Sequence, residues 1–535
     1  MTTVCILAAG QGTRMGPFSA FIHKALLPVN GRAVISHIIQ KFPEDTRFVI
    51  AVHHFENQIK DYIGLAHPLT AVDYVYIPVI SGANSGPGVS LFQCKERLDS
   101  PFYLVCADTL WNESFAELSQ WNHSNWIATA PTPSTERKNY CNLEFDTNRK
   151  VTTVWDKVEG PSNAAMEAFT GLAYIRDYKL FFEKFNPQQV SNEVQISSGF
   201  RPLIENSTVL ARSTSWIDTG TYKKYCEANN NDLSFLKTTD LTYFVNNFVI
   251  KFFLNPDHAK KRVAKAELSP QYFPPGISQR GHFLKYDYVE GKNLYQRSKA
   301  SDVDDLLQWM ERIWSIPVPQ YNQNDARSDI YSFYIERTLR RIDSFTEQFG
   351  NSWLLEKQIN GQNCCNLIEK IYMLSPEQFH ESTLAFIHGD LTLGNTIKDE
   401  SGKITLIDWR QDFGKNQTYG DKALDLSKLA ISCMIQLESA QRTQKEDLSL
   451  ALPQINLFWP KPSSSLSMMK SILRYANKSG ISTNHLRRLI GLSLLSMAGA
   501  QTGQVAKLYF LLGWNLLERS HAKDSLRLAS DHKTG

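Results

Sequence analysis

The chain has 535 residues, too many for one hydrophobic core, so its length predicts two to four domains. With 42% hydrophobic and 21% charged residues the composition is that of an ordinary globular protein, and a net charge of +3 gives no electrostatic case for nucleic acid or membrane binding. Eight cysteines lack CxxC spacing and only Cys364 and Cys365 are adjacent, which argues against a disulfide framework and for a reducing cytoplasm.

The first predicted element is a strand, Val4-Cys-Ile-Leu-Ala-Ala9, which runs straight into glycines without the basic flank and long apolar core of a signal peptide. Leu7-Ala-Ala-Gly-Gln-Gly-Thr-Arg-Met-Gly16 reads as a strand ending in a glycine-rich turn. Gly10 and Gly12 let the backbone approach a phosphate or base because no Cβ intervenes. Arg14 adds a fork of donors suited to a triphosphate. His23-Lys24-Ala-Leu-Leu-Pro28-Val29 places one lysine beside the same loop. A lone glycine pair would be weak evidence; the whole string is specific. Short β-branched runs such as Phe48–Val52 and Phe102–Cys106 alternate with amphipathic stretches, which predicts a mostly parallel sheet covered by helices. Further pieces follow in order: Tyr103-Leu-Val-Cys-Ala-Asp108, Trp155-Asp-Lys157, Thr170-Gly171-Leu-Ala-Tyr-Ile175 and Trp216-Ile-Asp218-Thr-Gly220-Thr221.

This ordered set, over residues 2–228, resembles the sugar-phosphate nucleotidyltransferase family, including the small cytidylyltransferases and uridylyltransferases that lack a β-helical tail. The resemblance implies that Leu7, Ala8, Ala9, Gly10, Gly12 and Thr13 contact the nucleotide and that Arg14 and Lys24 neutralise the triphosphate. It implies that Asp108 and Asp218 hold Mg²⁺, and that Lys157 and Gly171 meet the acceptor. The chain departs from the family in having neither the second arginine nor the threonine around Pro17-Phe18-Ser19-Ala20. Gly86-Pro-Gly-Val-Ser90 matches the family's base and acceptor loop only loosely. The base is therefore open, with CTP favoured.

The pattern breaks at Asn229-Asn-Asn-Asp232, read as a linker between a domain at 1–228 and another at 233–535. A small strand-rich lobe is expected over 233–293 and a helical lobe over 294–535. Within the small lobe, Phe248-Val-Ile-Lys251-Phe reads as a strand lysine, with Glu267 as its candidate helical partner; no glycine-rich loop precedes it. One strand-like island, Ala385 to Trp409, interrupts the helical periodicity that runs on from Ser301. The apolar stretch from Leu489 to Leu517, broken by Gln501, Gln504 and Lys507, predicts a buried helix pair and no membrane span.

The island holds Phe386-Ile-His388-Gly-Asp390-Leu-Thr-Leu-Gly394-Asn395 and Leu406-Ile-Asp408-Trp409. Together with Lys285-Tyr-Asp-Tyr288 and Tyr419-Gly-Asp-Lys-Ala-Leu-Asp425, this resembles the aminoglycoside phosphotransferase and choline kinase family. The resemblance implies Asp390 as the base for the substrate hydroxyl and Asn395 and Asp408 as Mg²⁺ ligands. It implies Lys251, Glu267 and Tyr288 at ATP, Trp409 and Arg410 near the substrate, Asp425 as a brace and His388 as an orienting residue.

The expected fold class is therefore α/β, a Rossmann-like nucleotidyltransferase domain followed by a two-lobed protein-kinase-like α+β domain. The expected function is bifunctional: phosphorylation of a small alcohol or sugar by ATP, then transfer of a nucleoside monophosphate to that phosphate. The joined halves resemble the choline kinase/phosphocholine cytidylyltransferase arrangement and, as separate proteins, a sugar kinase with a small uridylyltransferase. Both supply activated groups for surface polysaccharide or cell wall. Arg410 would repel a quaternary ammonium, which favours a neutral or anionic alcohol. A binding or regulatory protein with one dead half is disfavoured because Asp108, Asp218, Asp390, Asn395 and Asp408 all stand. The sequence leaves a homo-oligomer open.

Overall fold

The computed structural model describes the chain outside 79–81, 83–84, 159–165, 186–188, 191–192, 231–239, 296–298, 319–322, 351–357, 360–361, 364–366, 417, 436–453, 456–462 and 522–535. Cys364, Cys365 and the second half of the expected linker lie outside the described residues. The other six cysteines form no disulfide.

The chain divides into two packing units, Met1–Ala259 with Gly276–Asp287 and Lys260–Pro275 with Tyr288–Gly535. The first is built on a nine-stranded sheet. Its elements are β1 (Thr3–Ala8), α1 (Val34–Gln40), β2 (Arg47–Val52), α2 (Glu56–Ala66), β3 (Ala71–Tyr76), α3 (Pro87–Gln93), β4 (Phe102–Cys106), β5 (Thr109–Leu110), β6 (Asn125–Ala130), β7 (Cys141–Phe145), β8 (Val151–Asp156), β9 (Met166–Ile175), α4 (Ser197–Asn206), β10 (Val209–Ser213), β11 (Ile217–Asp218) and α5 (Tyr222–Ala228). The sheet order is β8-β7-β9-β4-β1-β2-β3, with β6 on β9 and β10 on β6. Strands β4, β1, β2 and β3 pair in parallel, but β9 is antiparallel to β4, β6 and β7. The sheet is thus mixed where a mostly parallel one was expected: β7, β8 and β9 follow one another without intervening helices, so their pairing is antiparallel.

Alternation along β1 feeds two cores. Val4, Ile6 and Ala8 join Ile35 and Ile38 of α1 and Ile59 and Tyr62 of α2. Cys5, Leu7 and Ala9 join Leu91 of α3 and Phe200 and Leu203 of α4.

A second, antiparallel sheet is formed by β12 (Asp240–Val245), β13 (Phe248–Phe253), β14 (Ser278–Arg280) and β15 (Phe283–Asp287), in the order β12-β13-β15-β14. It packs with the first unit, so the packing boundary differs from the expected 229–232. Leu241, Tyr243, Val245, Ile250, Phe252 and Phe283 share the core that holds α1 and α2. The Tyr62 ring meets Tyr243 at 5.1 Å and Phe283 at 5.6 Å. Burying these aromatic faces together outweighs the polar break in the sequence.

The second unit is largely helical. Helix α6 (Pro256–Glu267) enters it at Lys260, and α7 (Ala300–Trp314), α8 (Arg337–Phe349), α9 (Lys422–Met434), α10 (Ser463–Lys478), α11 (Thr483–Ala498) and α12 (Gly503–His521) follow. Short strands β16 (Lys292–Asn293), β17 (Leu384–Phe386), β18 (Thr396–Lys398), β19 (Ile404–Leu406) and β20 (Tyr419–Asp421) form a β16-β18-β19 sheet and a β17-β20 pair. Asp421 caps α9 by accepting from the Ala423 N–H at 3.0 Å, and Ser482 caps α11 through the His485 N–H at 3.1 Å. Helices α11 and α12 are the expected apolar pair. Among the described residues no helix is long and apolar enough to cross a membrane.

Candidate functional site

In the first unit the loops after β1 and β4 open on a cleft of about 950 Å³. Leu7, Ala9, Gly10, Gly12, Thr13 and Arg14 line it. Ala8 does not: strand alternation turns its side chain into the core with Val4 and Ile6. Gly12 adopts a left-handed φ of 65°, and a Cβ there would stand 3.6 Å from the Lys24 stem, so the loop lies on that side chain.

Lys24 begins a short 3₁₀ turn whose cap is the His23 ring, accepting from the Ala25 N–H at 3.1 Å. Burial, and then the Lys24 charge, holds His23 down at about 3, so the imidazole is neutral. Lys24 Nζ lies 2.5 Å from Asp108 Oδ2. Burial would push the Asp108 carboxyl up, but the charges of Lys24 and Arg14 outweigh it and hold it below the usual carboxylate range.

The second carboxylate arrives through strand register. Strand β11 pairs antiparallel with β5, setting Asp218 opposite Thr109 and therefore beside Asp108. Thr219 clamps the junction by donating its N–H and its hydroxyl to the Asp108 carbonyl, each at 2.9 Å. Asp218 Oδ1 accepts the Gly220 N–H at 2.8 Å, and Oδ2 accepts the Tyr140 hydroxyl at 3.0 Å. A Cβ on Gly220 would sit 3.0 Å from Asp108 Oδ2 and 3.1 Å from Asp218 Oδ1, so both carboxylates converge over this glycine. Burial, and then the Asp108 charge, pushes the Asp218 carboxyl upward. A cation between them would relieve that repulsion, and carboxylate oxygens are hard donors of the kind Mg²⁺ takes. Among the described residues no group of three or more His, Cys, Asp or Glu forms a closed metal cage.

On the opposite wall Lys157, at φ 54°, pairs with Glu193 at 3.7 Å. Its neighbour Asp156 accepts the hydroxyl of Ser197, the first residue of α4. Gly171, at φ 93°, leaves room for Thr109 and Cys106, whose atoms a Cβ would meet at 3.0–3.1 Å. Gly86, Pro87 and Ser90 line the cleft, although their segment matched expectation only loosely. Sequence reasoning missed Tyr140, whose ring packs edge-on against Trp216 at 5.1 Å, and Glu193. Neither carries a local signal, because each reaches its partner only across the fold.

In the second unit the loop from β17 to β18 carries Asp390 and Asn395, and Asp408 follows β19. Asp425 on α9 braces this loop, accepting the N–H groups of His388 at 2.9 Å and Gly389 at 2.7 Å and the Trp314 indole at 3.0 Å. His388 is buried, its Nε2 2.9 Å from the Ile407 carbonyl, which ties the loop to the segment before Asp408. Asn395 donates to the Asp390 carbonyl at 2.9 Å, and its own carbonyl accepts the Ile407 N–H at 3.0 Å. Asp390, Asn395 and the segment leading to Asp408 are thereby tied together by hydrogen bonds.

Lys428, one turn beyond Asp425, reaches Asp390 Oδ1 at 3.0 Å. Burial would raise the Asp390 carboxyl, but Lys428, His388 and Arg410 outweigh it and hold it far below the usual range. Sequence reasoning missed Lys428, although its three-residue spacing from Asp425 on one helix was the available signal.

Trp409 is buried, its indole N–H donates to the Arg262 carbonyl at 2.9 Å, and its ring packs on Phe273 at 4.7 Å. It is a packing residue rather than a substrate contact, because the ring has no face left for a ligand. Arg410 pairs with Asp412 at 3.3 Å. Lys251 lies on β13 and Tyr288 is 53% exposed. Glu267 is exposed at the end of α6; the buried cation of that turn is Lys265, which donates to the Arg410 carbonyl at 3.0 Å.

Residues 3–234 match the family model described as Nucleotidyl transferase. The N-terminal half contains a nucleotidyl transferase domain. A curated relative, the bifunctional protein GlmU of Methanocaldococcus jannaschii, is 24% identical over 252 residues, covering 46% of this chain and 58% of its own. The glucose-1-phosphate thymidylyltransferase of Mycolicibacterium smegmatis is 23% identical over 265 residues, 44% of this chain and 82% of its own. A UDP-glucose pyrophosphorylase solved with UDP-glucose is 17% identical with a TM-score of 0.37, covering 43% of this chain and 98% of that one. The chain spans only 58% and 54% of the length of the first two GlmU relatives it matches.

Proposed function

We propose that the chain is a bifunctional transferase. Its nucleotidyl transferase domain, residues 1–228, moves a nucleoside monophosphate from an NTP to a sugar phosphate or small alcohol phosphate. Residues 233–535 phosphorylate the corresponding alcohol with ATP. The observation that carries the reading is the convergence of Lys24, Asp108 and Asp218 at the mouth of a glycine loop, in a cleft sized for nucleotide and acceptor together.

In the first reaction an acceptor phosphate oxygen bonds to the α-phosphorus as the bond to the bridging oxygen of pyrophosphate breaks. The nucleophile is already anionic, so no general base is required. Arg14 and Lys24 offset the charge of the triphosphate and the leaving pyrophosphate, and Lys157 receives the incoming phosphate in exchange for Glu193. Asp108 and Asp218 would hold Mg²⁺, which supplies charge neutralisation. CTP is the favoured donor, on the resemblance to the small cytidylyltransferases.

In the second reaction Asp390 orients the acceptor hydroxyl and takes its proton while the oxygen bonds to the γ-phosphorus and ADP leaves. Asn395 and Asp408 would hold Mg²⁺ there. The hydrogen-bonded loop braced by Asp425 supports this half of the reading.

The test is incubation of the full-length protein with ATP, each of the four NTPs and pooled sugars, polyols, choline and their phosphates, following pyrophosphate release and product mass. Expected is pyrophosphate release with one pyrimidine NTP and a phosphate acceptor, plus ATP-dependent formation of that acceptor from its alcohol. Absence of pyrophosphate with every NTP and acceptor would sink the first half. Phosphorylation of choline with sugars and polyols ignored would overturn the neutral or anionic acceptor.

A further inference from the structure

Around Asp390 the second unit brings together Lys428, Arg410 and Arg337. Arg337 opens α8 directly after a π-helical turn, Ser332–Glu336, an irregularity that recurs at functional sites. Its guanidinium stands 5.1 Å from the Phe333 ring centroid, and that of Arg410 stands 5.1 Å from the same centroid. Phe333 is itself fixed by stacking on Phe413 at 4.2 Å. One rigid aromatic platform therefore presents two guanidinium groups. Lys428 takes Asp390 at 3.0 Å and Arg410 takes Asp412 at 3.3 Å, while Arg337 forms no ion pair among the described residues. Burial, and then the charges of Arg410 and Arg341, hold Arg337 down to about 9, against smaller opposing pulls from Asp390 and Asp412. A half-buried cation among cations is costly until an anion joins it.

We propose that the acceptor phosphorylated in this unit carries a carboxylate or phosphate of its own, bound by Arg337 together with Arg410 and Lys428 while its hydroxyl lies on Asp390. The proposal rests on the phosphotransferase reading above. A quaternary ammonium would be repelled by the same three groups, and an uncharged alcohol would leave Arg337 without a counter-charge. Arg337 is then a specificity residue: its planar fork matches either oxyanion by two parallel hydrogen bonds.

The test gives the full-length protein Mg²⁺ and γ-labelled ATP with matched acceptors: neutral sugars and polyols, the corresponding sugar acids, their monophosphates, and choline. Expected is transfer to an acid or a monophosphate in strong preference to its neutral parent, the two arms separating a carboxylate site from a phosphate site. Arg337→Gln should raise the acceptor KM about ten- to a hundredfold with kcat nearly unchanged, as loss of a charge-assisted hydrogen bond implies. Arg337→Lys should recover part of that loss. Efficient transfer to neutral acceptors or choline alone overturns the anion site and leaves the phosphotransferase reading intact. An unchanged KM in Arg337→Gln does the same. No transfer to any acceptor overturns both. Should Arg337→Gln fail to fold, the preference of the wild-type protein among the matched acceptors decides by itself.

Discussion

The side chains around Asp390 divide by how their charge or polarity is satisfied. Trp409 has its N–H on the Arg262 carbonyl and its ring on Phe273. Trp409→Phe should cost about 2 kcal/mol, from an unpaired carbonyl and a smaller ring, while leaving the acceptor KM unchanged. Denaturant unfolding and initial rates check this, and a raised KM would restore Trp409 to the substrate. Lys265 is a different case. Burial, and then the Arg410 and Arg262 charges, outweigh Asp425 and Asp412 and bring its ammonium down to about 7. The unfolded chain therefore binds this proton more tightly, and stability rises with pH from about 7 to the unfolded lysine value near 10.4. Below that window the folded state holds a costly buried ammonium. Lys265→Met removes this slope, so the variant should be stabilised relative to wild type more at pH 6 than at pH 9. A difference independent of pH would show that Lys265 does not titrate in this range.

At the level of elements, glycines decide how closely neighbours approach. Helices α11 and α12 meet at Gly491 and Gly513: a Cβ on either would stand 2.9 Å from the other's carbonyl oxygen. Gly491→Val gains helix propensity worth under about 1 kcal/mol but must push two backbones apart, which costs more. The variant should lose about 2 kcal/mol, read as a lower denaturant midpoint. An unchanged midpoint would mean that the helices adjust freely. The apolar run from Leu489 to Leu517 announces this pair because helical periodicity is local. The closeness of the crossing depends on two glycines 22 positions apart in the chain, and only packing brings them together. Likewise the run Tyr103–Asp108 reads as a strand ending in a carboxylate, whereas the position of Asp218 beside it follows from the β11–β5 register.

For the whole molecule, two sets of chemical groups on separate packing units predict separable activities. Asp108→Asn should abolish pyrophosphate release and leave phosphoryl transfer from ATP, and Asp390→Asn should do the reverse, as parallel assays of both variants would reveal. If either substitution silenced both reactions, or neither did, the assignment of two sites would fail. The glycine loop, Arg14, Lys24 and the Asp390-to-Asn395 loop were legible in the chain because each is a short segment whose chemistry lies in its own residues and spacing. The mixed sheet, the inward turn of Ala8, the burial of Trp409 and the packing of β12–β15 with the first unit were not, because each is set by which faces bury together. Tyr140 on Asp218, Lys428 on Asp390 and Arg337 over Phe333 belong to that second class: the residues are in plain view in the sequence, but their partners are chosen by strand register and helix packing across long separations.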